Sequence, residues 1–81
     1  LVVDDDTGLR EMIATALTVR GAEVIAVATL KEALSTEGTF DLALIDMLLP
    51  DSTGDVVLKQ LRQVGKATRG LLVTGTEVAQ L

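Results

Sequence analysis

LVVDDDTGLREMIATALTVRGAEVIAVA, residues 1–28, sets a strand, a helix and a second strand in one short run. It opens on the apolar Leu1-Val2-Val3 and breaks on three adjacent carboxylates, Asp4, Asp5 and Asp6. From Leu9 the apolar positions are Leu9, Met12, Ile13, Ala16 and Leu17. That spacing is one face of an α-helix. Arg20 and Gly21 close it, with a cation near the negative helix end and a glycine just beyond. Residues 22–28 are apolar and rich in β-branched side chains, and read as the second strand. Two strands joined through a helix pair in parallel, and the crossover is right-handed.

The rest of the chain repeats the alternation. Thr29 followed by Glu32 has the spacing of a capping box, and a short helix runs from there toward Gly38. Residues 40–45 form a third strand that ends at Asp46. Residues 47–53 are a loop carrying the only proline, Pro50. Val57, Leu58, Leu61 and Val64 give a third helical face, ended by Gly65. Residues 71–73 are a fourth strand ending at Thr74, and residues 76–81 read as the start of another helix. The order is β-α-β-α-β-α-β. The expected fold class is therefore α/β, a doubly wound parallel sheet with helices on both faces.

Composition narrows the chemistry. The chain has 81 residues, enough for one small domain. Phe40 is its only aromatic residue, so the core is aliphatic. A net charge of −5 argues against direct contact with nucleic acid, where binding rests on neutralising phosphates. No apolar run approaches the roughly 18 residues of a membrane span. With no cysteine there is no thiol chemistry, which fits a cytoplasmic location, and with no histidine there is no imidazole base. Chemistry here falls to carboxylates, hydroxyls, the backbone and a metal ion.

In open parallel sheets, sites form beyond the carboxyl ends of the strands. Three strands end on polar groups: the first on Asp4, Asp5 and Asp6, the third on Asp46, the fourth on Thr74. As neighbours, they would meet at one edge. Asp6 reads as a helix N-cap, and Asp51 and Asp55 as residues that shape the loop and cap the third helix. Asp4, Asp5 and Asp46 read as chemistry. Crowded carboxylates raise one another's pKa unless a cation joins them. A hard divalent cation such as Mg²⁺ is the natural neutraliser, and an acidic metal pocket beside a hydroxyl suits phosphoryl transfer to an aspartate.

These residues resemble a known family, the receiver domain of two-component response regulators. Val2-Val3-Asp4-Asp5 is similar to its first-strand motif. Leu44-Ile45-Asp46-Met47-Leu48-Leu49-Pro50, with Gly54 after it, is similar to its phosphoacceptor motif. Leu72-Val73-Thr74-Gly75 is similar to its fourth-strand motif. The resemblance covers the whole chain and implies a flavodoxin-like sheet of order 2-1-3-4. It implies that Asp46 accepts a phosphoryl group from a sensor histidine kinase or phosphotransfer protein. It assigns Mg²⁺ to Asp5 directly, to Asp4 through water, to Asp46, and to the Leu48 backbone carbonyl. Thr74 would hydrogen-bond the phosphoryl group, with the backbone near Met47 and Gly75 holding its oxygens. The domain would catalyse its own phosphorylation, without being an enzyme, and switch an output in a response regulator or hybrid kinase.

Two family features are absent from the sequence: the lysine that ends a fifth strand and the aromatic residue near it. Lys31, Lys59 and Lys66 lie in or beside helices and do not replace that lysine. The sequence is thus expected to be a receiver domain over residues 1–81, stopping after the fourth strand. The fourth strand would then leave a bare edge, expected to be covered by another molecule or to precede a disordered tail. A second copy of the chain is a candidate partner, and no membrane contact is expected. Two rivals stand beside the receiver. One is a haloacid-dehalogenase-like phosphatase, using Asp4 and Asp6 as an Asp-x-Asp pair. The other is a degenerate receiver that binds proteins without phosphate.

Overall fold

The computed structural model describes residues 1–73 in full and the backbone of 74 and 77–80. The elements are β1 (Val2–Val3), α1 (Thr7–Val19), β2 (Ala26–Val27), α2 (Leu30–Ser35), β3 (Ala43–Asp46), α3 (Gly54–Gln63), β4 (Gly70–Thr74) and β5 (Glu77–Gln80). They form one sheet of order β2-β1-β3-β4-β5. The first four strands are parallel, and β5 runs antiparallel to β4. The expected order 2-1-3-4 is therefore the order observed. Because β1→β2 and β3→β4 step in opposite directions, right-handed crossovers put α1 on one face and α3 on the other.

The core lies on the α2–α3 face. Val3, Ala43, Ile45 and Leu72 of the sheet are buried together with Ala33 of α2 and Val57, Leu58 and Leu61 of α3. Burying a side chain of this kind stabilises the fold by about 1.5–3 kcal/mol before entropy is counted. The α1 face is thinner. No residue of α1 is buried, and Leu9, Ile13 and Leu17 are half-exposed.

Local signals decide the helix ends. Asp6 caps α1, its Oδ1 accepting from the Leu9 N–H at 3.0 Å. The capping box of α2 is complete: Thr29 Oγ1 accepts from the Glu32 N–H and Glu32 Oε2 from the Ala28 N–H. After α3, Gly65 takes a φ of 73°, a left-handed turn that suits glycine.

Several expectations are corrected. The second strand is short: only Ala26 and Val27 pair, with Val2 and Val3 of β1. The third strand starts at Ala43, and Phe40 makes only an isolated bridge to Ala67. Residues 77–80, expected to open a helix, form β5. The bare edge of β4 explains this. Its unpaired backbone groups offer a ready partner. Among the described residues, β5 pairs along that edge. Gly75, Thr76 and Leu81 lie outside the described residues.

Candidate functional site

The register of the sheet assembles the site. Val3 pairs with Ile45, which brings Asp4 abreast of Asp46. Asp46 in turn pairs with Val73, so Thr74 follows at the same sheet edge. The Asp4 N–H still donates to Val27 O of β2, which fixes the backbone just past the end of β1.

Asp4, Asp5 and Asp46 each bring a carboxylate oxygen within 4.8 Å of the others. Asp5 is exposed and Asp46 half-buried, whereas Asp4 is only 3% exposed. Burial pushes the Asp4 carboxyl above its ordinary range. The Asp6 N–H, donating to Asp4 Oδ1 at 2.9 Å, opposes that, and the nearby charges of Asp46, Asp5 and Asp6 add to the rise. A buried carboxylate crowded by three other carboxylates is a poor arrangement for an empty protein and a good one for a hard cation. The three carboxylates fit Mg²⁺ by donor type, since that ion takes oxygen ligands and uses few carboxylates.

Asp6 is not one of the three clustered carboxylates. Its Oδ1 is engaged as the α1 cap.

The loop after β3 presents Asp46. The Leu48 N–H donates to Asp46 Oδ1 at 3.2 Å, which fixes the rotation of the carboxylate. The Met47 N–H donates to Val73 O, and the Gly54 N–H to Met47 O, so both ends of the loop are pinned. Gly54 sits where a Cβ would lie 2.7 Å from the Asp46 carbonyl oxygen. Only glycine lets α3 start that close to β3.

The Leu48 N–H thus lies against the Asp46 carboxylate. The Thr74 side chain and Gly75 lie outside the described residues, and Thr74 is fixed only as the end of β4. Two site neighbours escaped sequence reasoning. Arg10 Nη1 donates to the Asp4 backbone carbonyl at 2.9 Å and braces the turn after β1. The only trace of this in sequence is a cation in the first turns of α1. Asp51, expected with Asp55 to shape the loop and cap the third helix, accepts from the Leu30 and Lys31 N–H groups of α2. The sequence could not show that the loop tip reaches a helix some twenty residues earlier. Asp55 does sit in the first turn of α3, and the Thr53 hydroxyl holds its carboxyl below the usual range. Of the lysines, Lys66 donates to Thr36 O, and Lys31 and Lys59 are exposed on their helices. Among the described residues, no helix is long and apolar enough to cross a membrane.

The comparisons with known proteins agree with this geometry. The sequence model of the response regulator receiver domain matches residues 1–81. The transcriptional regulatory protein CiaR of Streptococcus pneumoniae (strain ATCC BAA-255 / R6) is 38% identical over 79 residues, covering 95% of this chain and 35% of CiaR. The chain thus spans about a third of the length of that curated relative. A solved structure of the MaeR response regulator bound to beryllium trifluoride superposes with a TM-score of 0.66, over 94% of this chain and 66% of that one. At 22% identity, that likeness speaks for the fold alone.

Proposed function

The chain belongs to the response regulator receiver family, and from that premise we propose that Asp46 accepts a phosphoryl group from a histidine of a partner kinase or phosphotransfer protein. The observation that carries this reading is the meeting of Asp4, Asp5 and Asp46 within 4.8 Å at the ends of adjacent parallel strands, with Asp4 buried. The chain has no histidine, so the donor belongs to another domain or molecule.

In the reaction, an Asp46 carboxylate oxygen attacks phosphorus, the phosphorus–nitrogen bond to the histidine breaks, and its electron pair leaves with the imidazole. The product is an acyl phosphate on Asp46. The Leu48 N–H holds the carboxylate's rotation during approach, and the pinned ends of the loop keep the attacking atom in line. When Mg²⁺ is bound by Asp5 and Asp46, with Asp4 acting through water and the Leu48 carbonyl completing the set, it supplies neutralisation of charge on the transferring oxygens. The Thr74 hydroxyl donates to the phosphoryl group once it arrives. We take the domain to be a cytoplasmic signalling element that promotes its own modification, and not an enzyme that turns over a substrate.

The test uses the intact protein that carries this chain. Incubated with acetyl phosphate, it should gain one phosphoryl group by intact mass in the presence of Mg²⁺ and none after chelation. Asp46→Asn should abolish the gain, and Asp5→Asn should slow it at least about tenfold. A folded, Mg²⁺-binding protein that takes no phosphate would favour the degenerate receiver.

A further inference from the structure

Residues 47–53 form the loop that follows Asp46, and its tip is tied to a different part of the fold. Asp51 is exposed, yet both of its carboxylate oxygens are engaged. Oδ1 accepts from the Leu30 N–H at 3.0 Å and Oδ2 from the Lys31 N–H at 3.1 Å. These are the first two amides of α2. We propose that Asp51 is a positioning residue for phosphoryl transfer: its grip on α2 fixes the loop in the form that presents the Asp46 carboxylate and the Leu48 backbone. This rests on the reading of Asp46 as the phosphoacceptor.

The grip does more for the loop than for the helix. The start of α2 already has a complete capping box in Thr29 and Glu32. It is also anchored from below, by fully buried Ala33 and by Leu30 and Leu34 packed on the core. Exposed first-turn amides can be satisfied by water. The loop has less to hold it. Leu48, Pro50, Asp51 and Thr53 are all exposed, and of the loop's side chains Met47, at its start, and Leu49 pack against the core.

A chain of contacts runs from the grip back to the acceptor. Next to Asp51, the Ser52 carbonyl accepts from the Leu49 N–H at 2.9 Å. Next to that pair, Leu48 bridges Thr53. The Leu48 N–H then donates to Asp46 Oδ1. Releasing the tip loosens each contact in turn. The two amide donors also hold the Asp51 carboxyl below its ordinary range, so the group is charged and bonded at neutral pH.

The experiment compares Asp51→Ala, Asp51→Asn and Thr29→Ala in the intact protein. Thr29→Ala weakens the same helix start without touching the loop. Three quantities are read well below the unfolding temperature of every variant: backbone amide exchange of Leu48 and Leu49 without metal, the Mg²⁺ concentration for half-saturation, and the rate of labelling by acetyl phosphate. Asp51→Ala should speed exchange at Leu48 and Leu49. It should also weaken Mg²⁺ binding and slow labelling by about tenfold, as expected for a group that orients a metal ligand's loop. Asp51→Asn keeps one acceptor oxygen and should recover part of each loss. Thr29→Ala should leave all three near wild type. The proposal is overturned if Asp51→Ala stays within about twofold of wild type, or if Thr29→Ala matches it, since capping alone would then explain the bonds. Wild-type protein that takes no label on Asp46 overturns the phosphoacceptor reading itself, and the positioning role with it.

Discussion

Among the described residues, Asp4 is the one charged side chain that is buried. Its pKa is raised in the folded state, chiefly by that burial. The native protein therefore binds the proton more tightly than the unfolded chain, where the ordinary value is 3.8. Above the folded pKa the buried charge destabilises the metal-free protein in full. The penalty fades as pH falls through that value and is gone below 3.8. Asp4→Asn keeps an acceptor for the Asp6 N–H and removes the charge. In chelator at pH 7, denaturant titrations should find it more stable than wild type, with the gap closing as pH falls toward 4. A gap that widens on acidification would contradict this. Asp5 and Asp6 should separate in the opposite test. At an Mg²⁺ concentration about a hundred times the dissociation constant, binding stabilises the wild-type domain by about 2.7 kcal/mol. Asp5→Asn should lose most of that gain. Asp6→Asn should keep it, and should keep the α1 cap as well, because asparagine caps a helix about as well as aspartate. The adjacency of the three acids was plain in sequence, and so was the cap. Burial of Asp4 rather than Asp5 was not, since it depends on which side of the strand end faces the packed sheet.

At the scale of elements, the junction of β3 and α3 decides how Asp46 is presented. Gly54→Ala would push a methyl group to within 2.7 Å of the Asp46 carbonyl and 3.1 Å of the Met47 Cα. Backbone atoms give way poorly, so the cost should be about 1–3 kcal/mol of stability. Labelling of Asp46 should slow as well, because the shift falls on β3. Thermal unfolding and the labelling rate check both, and an unchanged rate would detach Gly54 from function. Helix starts were the most legible elements, because Asp6, Thr29 and Glu32 act within their own turns. Strand lengths were less so. The run of residues 22–28 looks continuous, yet only Ala26 and Val27 pair with β1. The Asp51 grip and β5 were hidden because each depends on an unfilled hydrogen-bonding edge elsewhere in the fold.

At the scale of the molecule, the sheet order does the assembling. Placing β1 beside β3 joins acids that are some forty residues apart in sequence into one cluster. The alternation of strands and helices made the parallel sheet readable, while the order 2-1-3-4 came from the resemblance and is the order observed. The central claim is that this edge is a phosphoryl-accepting site with Asp46 as the acceptor. Its most direct test is to label the intact protein with acetyl phosphate and Mg²⁺, trap the acyl phosphate with borohydride, and map the modified residue by mass spectrometry. The account predicts reduction at Asp46 and at no other aspartate. Reduction at Asp4, with Asp46 untouched, would contradict it.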